Sequence, residues 1–237
     1  MAKAQRIGAS RDSSSRRSVR APRRAYNAGM TEHVILLHGV WMRGLTLVSL
    51  ARRLRLAGFG VDVLDYASVF GSVDATCERV RSRMREVDAD RVHLVGHSLG
   101  GLVALESVRG ANELPHGNVV CIGPPLRGSA VARGLDGLPG GHWLLGRSRD
   151  ALVGGVEHWD GSRPLGVIAG RLPFGLGVTV GTLTAPHDGT VAVEETHLPG
   201  VTDHCTVDAT HTGLVFSSAV ADLAIGFLRN GRFAPVT

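Results

Sequence analysis

The sequence predicts an α/β domain built on a mostly parallel sheet of about six strands, with helices on both faces. Two patterns predict it: short, continuous apolar runs recur along the chain, and segments of helical periodicity fill the intervals between them. Length and composition agree, since 237 residues, 43% hydrophobic and 20% charged, suit one globular domain.

Residues 33–37 (HVILL) read as the first strand, apolar almost throughout, as a strand covered on both faces must be. Residues 45–57 carry Leu47, Leu50, Ala51, Leu54 and Ala57 at helical spacing, with Arg52, Arg53 and Arg55 mainly on the other side and Gly58 closing the helix. A second strand follows at 61–64. Val73, Cys77, Val80, Met84 and Val87 then form the stripe of an amphipathic helix whose outer face is rich in arginine. The third strand, 91–95, runs into a glycine-bracketed turn and a helix ending near Val108. Residues 118–122 make a fourth strand and 165–169 a fifth, with a sixth somewhere in 201–207 and a closing helix over 212–229. Between the fourth and fifth strands, the glycine-rich stretch 124–163 reads as irregular.

Charge divides the chain into a tail, 1–30, and a folded domain, 31–237. The tail holds seven arginines and Lys3 against Asp12 alone, whereas the remainder is slightly acidic. The basic balance therefore belongs to the tail, and the domain offers no basic face for nucleic acid. Rich in Ser and Arg and poor in large apolar residues, the tail cannot bury enough surface to offset chain entropy and reads as disordered. A transit peptide or an electrostatic tether is an alternative, as is translation from Met30. No apolar segment of secretory type follows the Arg16-Arg17 pair, and no run is long enough to span a membrane, so a cytoplasmic location is expected. Cys77, Cys121 and Cys205 have neither CxxC spacing nor an even number, which suggests space-filling thiols in a reducing compartment.

The chemistry centres on Gly96-His97-Ser98-Leu99-Gly100-Gly101. The bare Gly-x-Ser-x-Gly pattern is weak, because 32 Gly and 16 Ser in this chain give about 0.3 matches by chance. Its setting is what makes it specific. A buried strand precedes it and an apolar helix follows, the strand-to-helix turn on which a nucleophilic serine is presented. Glycines two residues to either side let neighbouring backbone crowd that turn without a Cβ clash.

Together with this hexapeptide, Leu37-His38-Gly39-Val40-Trp41 after the first strand, Gly128-Ser129 after the fourth, Asp188-Gly189-Thr190-Val191 and His211 resemble the α/β-hydrolase superfamily, in particular its small bacterial lipases and esterases. The resemblance covers residues 33 to about 233 and implies an α/β-hydrolase fold with a short cap. It implies that Ser98 attacks a carbonyl carbon and forms an acyl-enzyme that water resolves. In this superfamily the acid and then the histidine follow the serine along the chain. His211 directly precedes the closing helix, whereas His204 is the nearest competitor. Asp188, in Pro186-His187-Asp188-Gly189, takes the place of the acid; Asp160, Asp203 and Asp208 are less well placed, and Glu194 and Glu195 read as surface charges. By the same logic the oxyanion donors are the main-chain N–H groups of Leu99 and Val40.

Trp41, beside the oxyanion loop, and Trp143 and Trp159, in the 124–163 segment, are candidate pocket residues suited to an apolar acyl chain. So short and glycine-rich a cap implies short or medium acyl chains with little interfacial activation. No metal or nucleotide motif is present, and no cofactor is expected. The expected partner is a small-molecule acyl ester. Acyl transfer to an alcohol or thiol, or thioester hydrolysis, would use the same triad, and a non-catalytic binding module is a third reading. The sequence leaves the oligomeric state open.

Overall fold

The computed structural model describes residues 30–175 and 183–234. Strands β1 (Glu32–Leu37), β2 (Gly60–Leu64), β3 (Arg91–His97), β4 (Val119–Ile122), β5 (Leu165–Gly170) and β6 (Asp203–Val207) form one sheet in the order β2-β1-β3-β4-β5-β6. Every neighbouring pair is parallel. Alternate side chains leave a strand on opposite faces. In β1, Ile35 and Leu37 enter one apolar layer while Val34 and Leu36 enter the other; in β4, Val119 and Cys121 oppose Val120 and Ile122 in the same way. With both faces covered there is no solvated position, so these strands read as unbroken apolar runs.

Helix α1 (Val48–Leu56), entered through a 3₁₀ turn at Gly44–Leu47, shares one face of the sheet with the C-terminal helix α7 (Ser218–Asn230). Leu50, Ala51, Leu54, Val220, Ala224 and Phe227 fill that layer. Helices α2 (Val73–Glu86) and α3 (Leu99–Val108) cover the other face through Cys77, Val80, Met84, Leu102 and Leu105. Each fully buried large side chain contributes about 1.5–3 kcal/mol. The chain passes from β1 to β2 on one side and returns to β3 on the other, which sends α1 and α2 to opposite faces. A crevice therefore opens at the C-terminal ends of β1 and β3, the topological switch point of the sheet.

Residues 124–163 are more ordered than their glycine content suggests. They form three short helices, α4 (Ala130–Asp136), α5 (Gly141–Leu145) and α6 (Arg149–Gly154). End contacts hold them in place of a long apolar stripe. The Ser129 hydroxyl accepts from the Ala132 N–H at 3.1 Å, the Glu195 carboxylate accepts from the Ala130 N–H at 2.5 Å, and the Arg149 fork grips Asp136 at 2.6 and 2.7 Å. Glu195 is thus not the surface charge that its sequence suggests. The expected closing helix is also divided, because Ser217 caps α7 after a 3₁₀ turn at Gly213–Val215. Residues 176–182, shortly before Asp188, and nearly all of the basic tail lie outside the described residues. Among those described, no helix is long and apolar enough to cross a membrane.

Candidate active site

The turn between β3 and α3 puts Ser98 at φ 54° and ψ −120°, a conformation L residues rarely adopt. Two close approaches enforce it. A β-carbon on Gly96 would lie 2.2 Å from the Gly100 carbonyl oxygen, and one on Gly100 would lie 2.3 Å from that of Leu37. The Ser98 N–H donates to Ile122 O at 2.9 Å, which anchors the turn to the end of β4. Ser98 is 6% exposed, and the N-terminus of α3 begins at the next residue, Leu99, whose side chain is fully buried.

Asp188 and His211 come together beyond β5. Asp188 is 1% exposed, and its Oδ1 accepts from the Thr190 and Val191 N–H groups at 2.9 and 2.7 Å. Its Oδ2 accepts from Nδ1 of His211 at 2.7 Å, and the His211 N–H donates to the Asp188 carbonyl at 2.8 Å. With the ring proton held at Nδ1, the Nε2 of a neutral His211 is an acceptor. This pair lies next to the serine turn. Gly123, which directly follows the β4 residue holding the Ser98 N–H, would place a β-carbon 3.3 Å from His211 Nδ1 and 3.4 Å from Asp188 Oδ2.

The loop after β1 closes the other side. A β-carbon on Gly39 would lie 3.1 Å from Cβ of Ser98. Buried His38 donates from Nδ1 to the Gly39 carbonyl at 2.9 Å, stacks on Tyr66 at 4.3 Å, and places Nε2 3.0 Å from Asp65. In a trans peptide the carbonyl and the following N–H point in opposite directions. Fixing the Gly39 oxygen therefore fixes the Val40 N–H on the opposite side of that peptide plane. Val40 itself packs half-buried against the core.

His97, whose neighbourhood to Ser98 is visible in the sequence while its partner is not, is fully buried. Its Nε2 lies 3.0 Å from the His211 carbonyl, and the two imidazole centroids are 4.7 Å apart. Burial first, and then the neighbouring His211, push its pKa down to about 3.

The three tryptophans part company. Trp41, at φ 57°, is half exposed and donates its indole N–H to the Leu144 carbonyl of α5 at 2.9 Å, joining the loop after β1 to the cap. Trp143 stands 76% exposed on the same helix. Trp159, by contrast, is 3% exposed and belongs to the core. Its indole N–H donates to the Arg163 carbonyl at 2.9 Å, and the Arg163 guanidinium donates to the Leu114 and Pro115 carbonyls. That cluster precedes β4 and β5, at the sheet edge opposite Ser98, so Trp159 is an anchor and does not line the site. Position relative to the strand ends separates these residues, and their apolar character does not.

The rival residues are committed elsewhere. His204 sits in β6, stacked on His197 at 4.2 Å and donating to the Thr196 hydroxyl at 2.8 Å. Asp208 pairs with Arg171, Asp203 accepts from the Phe233 N–H, and Asp160 accepts from that of Ser162. No group of three His, Cys, Asp or Glu side chains among the described residues could hold a metal ion.

A model of the alpha/beta hydrolase family matches residues 34–224. The chain belongs to that family. No curated protein matches its sequence significantly. Among solved structures, this alpha/beta hydrolase is similar to the lipase BlEst2 of Bacillus licheniformis. The mature form shares 15% identity at a TM-score of 0.69, over 88% of this chain and 96% of that one. The propeptide form gives 16% and 0.71, over 87% of this chain, which spans about half (52%) of that longer one. The metagenomic carboxyl esterase MGS0156 shares 15% identity at a TM-score of 0.57, covering 78% and 65% of the two chains. At these identities the likeness is one of fold.

Proposed function

We propose that this alpha/beta hydrolase is a serine hydrolase that cleaves carboxylic esters. Ser98 is the nucleophile, His211 the general base, Asp188 the residue that orients the base, and the Leu99 and Val40 N–H groups are the oxyanion donors. The observation that carries the reading is the buried 2.7 Å hydrogen bond from His211 to Asp188, lying beside a serine held at φ 54° on a strand-to-helix turn.

In the acylation step Nε2 of His211 takes the Ser98 hydroxyl proton as Oγ bonds to the ester carbonyl carbon. The carbonyl electron pair moves onto oxygen, where two main-chain N–H donors meet it. When the tetrahedral adduct collapses, the C–O bond to the alcohol breaks and His211 returns its proton to the leaving oxygen. Water then repeats the sequence on the acyl-enzyme and releases the acid. Asp188 stays ionised and stabilises the imidazolium.

The half-exposed Trp41 and the apolar residues Trp143 and Leu144 of α5 favour an apolar acyl group. A cap of helices of five to seven residues favours short or medium chains. The neighbours named lipase and carboxyl esterase support the same class. The test is a p-nitrophenyl ester series on the full chain, together with labelling by a fluorophosphonate. Ser98→Ala is expected to abolish labelling and to lower kcat by roughly 10⁶-fold with folding intact. A folded wild type that stays inert to both reagents would overturn the reading.

A further inference from the structure

We propose that His97 is a positioning residue for the general base, holding the His211 main chain to the strand that carries the nucleophile. The proposal rests on the Ser98–His211–Asp188 reading above.

His97 ends β3, next to Ser98, and its ring is sealed from solvent. A carbonyl oxygen only accepts, so the 3.0 Å contact to the His211 carbonyl requires the proton on Nε2 of His97. Nδ1 of the neutral ring then has no N–H or O–H partner. Its surroundings explain why. A β-carbon on Gly39 would lie 3.2 Å from Nδ1, so the backbone of the loop after β1 packs closely against that side of the ring. One imidazole thus touches the nucleophile's strand, the base's loop and the loop after β1. The titratable groups that act on it electrostatically are His211, Asp188 and His38.

The other main-chain and side-chain bonds described for His211 both run to Asp188, from its N–H and from Nδ1. Those two bonds let base and acid move as a unit. They orient the imidazole without setting its distance from Ser98. The His97 bond is a tie to β3 itself, and it converts an oriented base into one fixed relative to the serine hydroxyl. Misplacement of a reacting group by about 1 Å costs on the order of 10² in rate. The effect belongs in kcat and not in KM, because His97, buried behind the two catalytic side chains, offers no surface to substrate.

The experiment compares full-length His97→Leu, His97→Gln and His97→Asn with wild type. It measures kcat and KM on p-nitrophenyl butyrate, the rate of fluorophosphonate labelling, and thermal unfolding. The Gln amide N–H extends to the depth of Nε2, whereas that of Asn stops near Nδ1. The expected result is a fall in kcat and labelling rate of about 10² in His97→Leu and His97→Asn, with KM nearly unchanged, and recovery to within about tenfold of wild type in His97→Gln. Equal activities of the Gln and Asn variants would overturn the proposal, as would a folded His97→Leu with wild-type kcat. Should His97→Leu not fold, the Gln–Asn comparison decides alone. Wild type that does not label, or that Ser98→Ala equals, overturns the parent reading and is recognised without any His97 variant.

Discussion

Replacing Asp188 with asparagine tests the orientation of the base with minimal disturbance elsewhere. Oδ1 of Asp188 accepts two main-chain N–H bonds, at 2.9 and 2.7 Å, and Oδ2 faces Nδ1 of His211 at 2.7 Å. In Asp188→Asn the amide oxygen must stay on the side of the two N–H donors, because turning it would set donors against donors. The amide NH₂ then faces His211 and drives the imidazole into the tautomer with its proton on Nε2, which cannot accept from Ser98. Loss of the correct tautomer in a serine-histidine-aspartate system lowers kcat on the order of 10⁴-fold, or about 5 kcal/mol of activation free energy. Asp188→Ala makes a poorer test. It strands the Thr190 and Val191 N–H groups at a cost of about 1–3 kcal/mol each, so activity and stability fall together. The assay is kcat on p-nitrophenyl butyrate beside a thermal melt of each variant. An Asp188→Asn enzyme within tenfold of wild type would remove Asp188 from the mechanism.

Two further outcomes concern the stability of the fold. Trp159→Phe, which keeps most of the buried ring and loses the bond to Arg163, is expected to cost about 1 kcal/mol of stability while leaving the acyl-chain preference unchanged; a shift in that preference would return Trp159 to the pocket. Burial first, with a repelling histidine second, holds His97 and His204 at about 3 and about 4 against an ordinary 6.5. Folded values below unfolded ones mean that this stability is fully present above about pH 6.5 and is lost as pH falls through the folded values. Denaturant midpoints should therefore drop between about pH 6.5 and 4, less steeply in His204→Gln, and a flat profile in wild type would contradict this account.

The fold was legible where burial on both faces leaves no choice of residue. Strands β1, β3, β4 and β5 show as apolar runs because their side chains alternate between two apolar layers. The cap was not legible, since helices as short as Ala130–Asp136 have no room for a long periodic stripe and this one depends on an end contact from Glu195 to Ala130, 65 residues apart in the chain. Ser98, Asp188 and His211 stood out through motif and chain order, and the structure joins Asp188 to His211 by a 2.7 Å hydrogen bond. Trp159 looked like Trp41 in sequence because both are apolar residues in loops. Only the sheet edge at which each loop lies tells them apart. The partner of His97 was hidden for a similar reason, being a main-chain atom 114 residues away.

Trp41 and Ser98 are the non-glycine residues with positive φ among those described, and they flank the same crevice. Backbone held there costs about 1–3 kcal/mol per residue, a load the rest of the fold must carry. Adaptation to heat and retention of turnover then pull against each other at these positions. In a library selected for thermal tolerance alone, glycine should accumulate at 41 and 98, and, on the mechanism proposed for Ser98, the survivors changed at 98 should be the ones that no longer turn over ester. A selection that demands both traits should find its stabilising changes elsewhere.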